Sequence, residues 1–157
     1  MNQYLYKKAE REKRRGFTLI ELLVVIAIIG VLSTLAVVAL NNAREKSRDA
    51  KRVSDIKQVQ TALELYFADK NTYPAGTGLV LGSASAQSLS GGGFTASGGV
   101  SGTTYMGKVP TNPTPGGVDY AYTQTSAGVS YTIAFWLESQ VGALAKDDHT
   151  ATPSGIQ

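Results

Sequence analysis

Residues Phe17–Leu40 form an apolar run of 24 residues, interrupted only by Thr18, Glu21, Gly30, Ser33 and Thr34. As a helix this run would measure about 36 Å, against a bilayer hydrocarbon core of roughly 30 Å. Its fifth residue is a carboxylate, Glu21. A charge at the centre of a membrane helix costs about 2.5–3.5 kcal/mol even on a lenient insertion scale. An ionisable side chain so placed therefore asks for a partner and a function. A secretory signal peptide would have a shorter apolar core followed by small residues at a cleavage site. Ala36, Ala39 and Ala43 satisfy that rule loosely, but the run is too long and Glu21 interrupts it where it should be unbroken.

The charge distribution gives this segment a direction. The chain of 157 residues carries a formal charge of +3. Met1–Gly16 holds six basic side chains against two acidic ones, a net of +4, so the remainder is near neutral at −1. Positive charge concentrated before an apolar helix is a topology signal that keeps that end cytoplasmic, with Arg14 and Arg15 at the boundary. It is not the footprint of a nucleic-acid binder, since after Lys70 the only Lys or Arg side chains are Lys108 and Lys146. There is no cysteine, which excludes thiol chemistry, cysteine metal sites and a disulfide staple.

Beyond Leu40 the pattern becomes amphipathic. Val53, Ile56, Val59, Leu63 and Tyr66 recur at spacings of three and four, with Phe67 beside them, which predicts one apolar helix face over 41–73. Arg44, Lys46, Lys51, Asp55, Lys57 and Glu64 are assigned to a solvated face. Asn71 tolerates a left-handed closing residue, and Pro74 forbids continuation. Segment 74–117 is read as a Gly- and Ser-rich connecting loop, uncharged from Gly76 to Thr104, with room for one or two short strands. Residues 118–157 are read as an antiparallel hairpin and a tail. Tyr120 and Tyr122 share one face of the first run; Tyr131, Ile133, Phe135 and Leu137 share a face of the second, with Ser126-Ala127-Gly128 as the turn. After Glu138 the pattern predicts loop with a short edge strand.

The hexapeptide Gly16-Phe17-Thr18-Leu19-Ile20-Glu21, with Arg14-Arg15 before it, resembles the prepilin signal of type IV pilins and of the pseudopilins of type II secretion. That resemblance implies an α+β pilin fold: a long N-terminal helix, half transmembrane and half amphipathic, packed on a small antiparallel sheet. It implies a leader, residues 1–16, removed by a prepilin peptidase between Gly16 and Phe17, and N-methylation of Phe17. It further implies that Glu21 neutralises the Phe17 amine of a neighbouring subunit in a helical homo-oligomer. The other implied partners are an assembly platform with its ATPase and the cytoplasmic membrane, which a single span crosses with the C-terminal part outside before incorporation into a surface or periplasmic filament. The chain departs from the family in lacking a disulfide and any proline before Pro74.

Three functional readings follow: a type IV pilus subunit, a major pseudopilin of a secretion piston, and a minor pilin tethering a DNA- or ligand-binding module. No enzyme is expected. His149 is the sole histidine and reads as solvated, no serine sits in a nucleophile elbow, and Gly91-Gly92-Gly93 lacks the Lys-Ser/Thr of a phosphate loop. No cofactor is expected, with one qualification. The chain also resembles major pseudopilins around Tyr66–Pro74 and Val109–Tyr122, and these bind calcium in a loop between their last strands; Asp147 and Asp148 are the residues to which that implication attaches. Calcium takes six to eight oxygens, and the two aspartates read more simply as exposed loop charge. Trp136 falls opposite Phe135 and is expected to be exposed, as a contact between subunits.

Overall fold

The structure, a computed structural model, describes residues 16–99 and 101–157. The leader, including Arg14 and Arg15, lies outside the described residues. The chain divides into two compact units at Leu40/Asn41. A single helix, α1 (Leu19–Lys70), contributes to both.

In the first unit every described residue from Gly16 to Leu40 is exposed, including Leu19, Ile20, Leu23 and Leu35. Among the described residues none covers this apolar surface, and its length and composition suit a bilayer span. Helix α1 ends as its sequence dictates. Asn71 takes φ 54°, its N–H donating to Phe67 O at 2.8 Å, and Pro74 follows.

In the second unit the helix packs on eight short strands: β1 (Leu79–Val80), β2 (Ser88–Ser90), β3 (Gly93–Thr95), β4 (Thr104–Met106), β5 (Ala121–Thr125), β6 (Ser130–Trp136), β7 (Asp148–Thr152) and β8 (Gly155–Ile156). They form a five-stranded sheet, β1-β5-β6-β7-β8, and a three-stranded sheet, β3-β2-β4, with every pairing antiparallel. The fold is α+β, with a long N-terminal helix on small antiparallel sheets. The turn at Ser126–Gly128 joins β5 to β6 through three successive positive-φ residues. Tyr122 pairs with Ile133 and Gln124 with Tyr131, so the buried positions of both strands meet on one face. Tyr120 and Tyr122 therefore share a core with Tyr131, Ile133, Phe135 and Leu137. Ile56, Val59, Leu63 and Tyr66 from α1 close it.

Two segments are more ordered than their composition suggests. Segment 74–117 holds β1 through β4, because Ser88 and Ser90 flank the buried Leu89 and the backbone ladder, rather than large side chains, carries the pairing. The tail after Glu138 holds more than a loop and a short edge strand: β8 is the edge, and β7 lies interior, between β6 and β8. Its buried positions are His149 and Ala151, side chains without a strong apolar signal.

Candidate functional site

The helix start places the residues of the Gly16–Glu21 motif. Thr18 occupies the N-cap of α1 and Glu21 its third helical position, a pairing that can satisfy two otherwise orphaned backbone donors. Both halves of this reciprocal box are present. The Thr18 N–H and Oγ1–H each donate to Glu21 Oε2 at 2.8 Å, and the Glu21 N–H donates to Thr18 Oγ1 at 3.3 Å. Both Thr18 bonds use Oε2; no described group engages Oε1. Gly16 and Phe17 precede the helix, with Phe17 86% exposed. A Cβ added at Gly16 would meet nothing within 4 Å, so the fold itself does not demand glycine there. Thr18 was legible as a capping-box threonine three residues before a glutamate, but sequence reasoning did not assign it.

A second constellation was missed altogether. Asp49 and Arg52 continue the three-four spacing of the apolar face backwards by two turns, and both are fully buried. All five guanidinium N–H donors of Arg52 are used. Its Nε donates to Asn112 Oδ1 at 2.7 Å, Nη1 to Asp49 Oδ1 and Glu138 Oε1 at 2.6 Å each, and Nη2 to Pro113 O at 3.0 Å and Gly116 O at 2.7 Å. Arg48 makes a two-pronged ion pair with Glu138. Asp49 also accepts from the Glu138 and Ser139 N–H groups and from Ser139 Oγ. The Arg48 hydrogen bonds, aided by Arg52, hold the Glu138 carboxyl at about 2, although its partial burial pushes the other way. Asp55, expected on the solvated face, is instead buried, within 3.4 Å of the Tyr120 hydroxyl and accepting from Lys51 at 2.7 Å.

The remaining candidates lie apart from both sites. His149 is buried rather than solvated: Nε2 lies 2.9 Å from Ala145 O, Nδ1 3.1 Å from Gln157 O, and the ring packs on Phe135. Trp136 is half-buried rather than exposed, with Lys146 Nζ 5.9 Å from its ring centre. Asp147 and Asp148 are exposed, and Asp147 Oδ1 accepts the Asp148 N–H. Among the described residues no group of three or more His, Cys, Asp or Glu side chains is placed to hold a metal ion.

With this geometry in hand, the comparisons with known proteins are specific. Residues 11–37 match the prokaryotic N-terminal methylation motif. The N-terminal segment is similar to that of pilins and pseudopilins. The chain is similar to type II secretion system core protein G of Escherichia coli K12, 49% identical over 63 residues, which is 40% of this chain and 43% of that protein. The corresponding protein of Vibrio cholerae is 40% identical over 62 residues, 40% of this chain and 42% of its own. The type IV major pilin protein PilA of Myxococcus xanthus is 36% identical over 61 residues, 39% of this chain and 28% of that pilin. The chain thus spans less than half the length of these curated relatives. No solved structure matches it.

Proposed function

We propose that the chain is a structural subunit of a type IV pilus-like helical filament, cut by a prepilin peptidase between Gly16 and Phe17 and assembled out of the cytoplasmic membrane. The observation that carries this reading is the segment Phe17–Leu40: an apolar helical surface with no cover of its own, bearing a single carboxylate one turn from its start. In lipid such a surface is solvated; in a filament it is buried against copies of itself. Lipid and protein core are about equally apolar, so packing and charge pairing must set the register. The Glu21 carboxylate, steadied by Thr18, meets the Phe17 amine of a neighbour. Subunits related by a rotation that does not close build an open fibre.

A second setting, the short periplasmic filament of a type II secretion system, is favoured by the higher identities to core protein G than to the pilin PilA. The same chemistry serves both. The role is structural rather than catalytic, and the partners are the peptidase, an assembly platform with its ATPase, and further copies of the chain. A nucleic-acid-binding minor pilin is disfavoured by the scarcity of basic side chains after Lys70.

Mass spectrometry of isolated filaments tests the reading. Subunits should begin at Phe17 with one added methyl group, and Gly16→Val should leave an uncut precursor in the membrane. Gly16 has free space around it, so the valine leaves the fold undisturbed and any block reports on the peptidase. A leader retained in assembled filaments, or a cut near Ala36–Ala43, would refute it.

A further inference from the structure

A secreted unit without a disulfide needs another means to fix its irregular segments. The resemblance to major pseudopilins would assign that task to calcium, yet Asp147 and Asp148 are exposed and without a third carboxylate. The oxygens that converge inside the unit lie elsewhere, at Asn112, Pro113, Gly116, Asp49 and Glu138, and they converge on Arg52. We propose that the Arg52 guanidinium is the organising cation of residues 41–157, taking the role, at a different position, that the resemblance gives to calcium, so that this fold requires no divalent ion.

The arrangement has the logic of a coordination sphere. Five oxygens surround one delocalised positive charge, two of them from carboxylates and two from backbone carbonyls, the same donor types that calcium uses. The planar fork fixes direction as well as distance, which a spherical ion does not. The backbone is shaped to admit it. Gly116 and Gly117 have φ of 86° and 76°; a Cβ on Gly117 would lie 3.0 Å from Arg52 Nη2, and one on Gly116 2.6 Å from the Glu138 carboxyl. Segment 112–117 wraps one side of the guanidinium, and Glu138-Ser139 with Asp49 closes the other. The donors are saturated, so no calcium is needed to neutralise Asp49 and Glu138.

The test uses the full chain in detergent micelles, with thermal unfolding followed by near-ultraviolet circular dichroism and Trp136 fluorescence. For the wild type, a calcium chelator or added calcium should move the midpoint by less than about 1 °C, below the several degrees that even 1 kcal/mol of linkage produces. Arg52→Lys keeps the charge but presents a compact three-donor ammonium, and should lower the midpoint by more than about 10 °C with no rescue by calcium. Should that variant fail to fold, Asn112→Ala removes one acceptor and should give a smaller, calcium-independent drop. Terbium, a luminescent calcium mimic, should show no Trp- or Tyr-sensitised emission. A chelator-induced drop of several degrees that is abolished in Asp147→Asn/Asp148→Asn, or an unchanged midpoint in Arg52→Lys, would overturn the proposal.

Discussion

Glu21 closes a capping box in this structure and carries a charge pair in the proposed filament, and a set of substitutions distinguishes the two roles. Within one chain it closes the capping box with Thr18. Losing an N-cap interaction costs about 0.5–2 kcal/mol. Between chains, in the proposed filament, its charge would meet the Phe17 amine, and stranding one partner of a buried pair costs about 3–5 kcal/mol. Glutamine serves the third position of a capping box as well as glutamate does, since its amide oxygen can accept both Thr18 bonds. Glu21→Gln should therefore keep the helix start and remove the intersubunit charge. Thr18→Val does the reverse. The worked expectation is an assembly equilibrium reduced by roughly two to three and a half orders of magnitude for Glu21→Gln, and by about thirtyfold or less for Thr18→Val. Both should insert and be cleaved normally, because a lone carboxylate near the interface can protonate or snorkel before assembly. Glu21→Asp, one methylene shorter, should fall between them. Filaments counted by electron microscopy, alongside blots for the processed subunit, supply the readout. Wild-type filament numbers from Glu21→Gln would refute the charge-pair mechanism. Equal losses in Glu21→Gln and Thr18→Val would refute the separation of its two roles.

Acid should act on the Arg48–Glu138–Arg52 cluster in a defined window. Glu138 sits at about 2 when folded, against an ordinary 4.5, so its contribution is fully present above about pH 4.5 and is lost as pH falls towards 2. Melting midpoints recorded across that window should decline for the wild type and decline less steeply for Glu138→Gln; identical slopes would contradict the assignment. Among the described residues no group meets the buried Tyr131 hydroxyl in hydrogen-bonding geometry. Tyr131→Phe should therefore leave stability unchanged within about 0.5 kcal/mol or raise it, and a loss above about 1 kcal/mol by denaturant unfolding would reveal a partner for that hydroxyl.

The parts of the fold legible in the sequence are those whose signal is local. The apolar run, the Asn71/Pro74 stop and the Ser126–Gly128 turn each rest on contiguous residues; the structure makes the run helical from Leu19 and places the stop and the turn where the pattern does. The amphipathic face was legible for its apolar members only. Asp49, Arg52 and Asp55 obey or adjoin the same periodicity, but a charged residue on a helix is assigned to solvent unless its partner is known, and Glu138 lies 86 residues from Arg52. Strand β7 was illegible for a related reason. Asp148-His149-Thr150-Ala151-Thr152 has alternation in burial but little in hydropathy, and its pairing is imposed by β6 and β8. Small and polar residues bury well when neighbours supply the shape and the hydrogen bonds, and those neighbours are set by the tertiary fold.

That dependence explains why a buried arginine stands where an apolar residue would normally close the helix face. A buried ion pair is weak evidence for stability, since well-packed apolar replacements often match it. Here the comparison is not with an isolated pair. Segment 112–117 contains two prolines and two positive-φ glycines, forms no ladder, and turns the carbonyls of Pro113 and Gly116 inward. Pro113 O and Asn112 Oδ1 would be left without a donor if Arg52 were leucine or methionine, while Gly116 O would keep only the Asn112 amide, and a polar group left unpaired away from water costs about 1–3 kcal/mol. The Asp49 and Glu138 carboxylates would also lose a shared counter-charge. An apolar substitution would therefore take one donor from each of five acceptors, leaving Pro113 O and Asn112 Oδ1 with none, to gain one side chain's packing. The segment and the guanidinium are a matched set, and exchange of the arginine is favourable only if the segment is rebuilt as well.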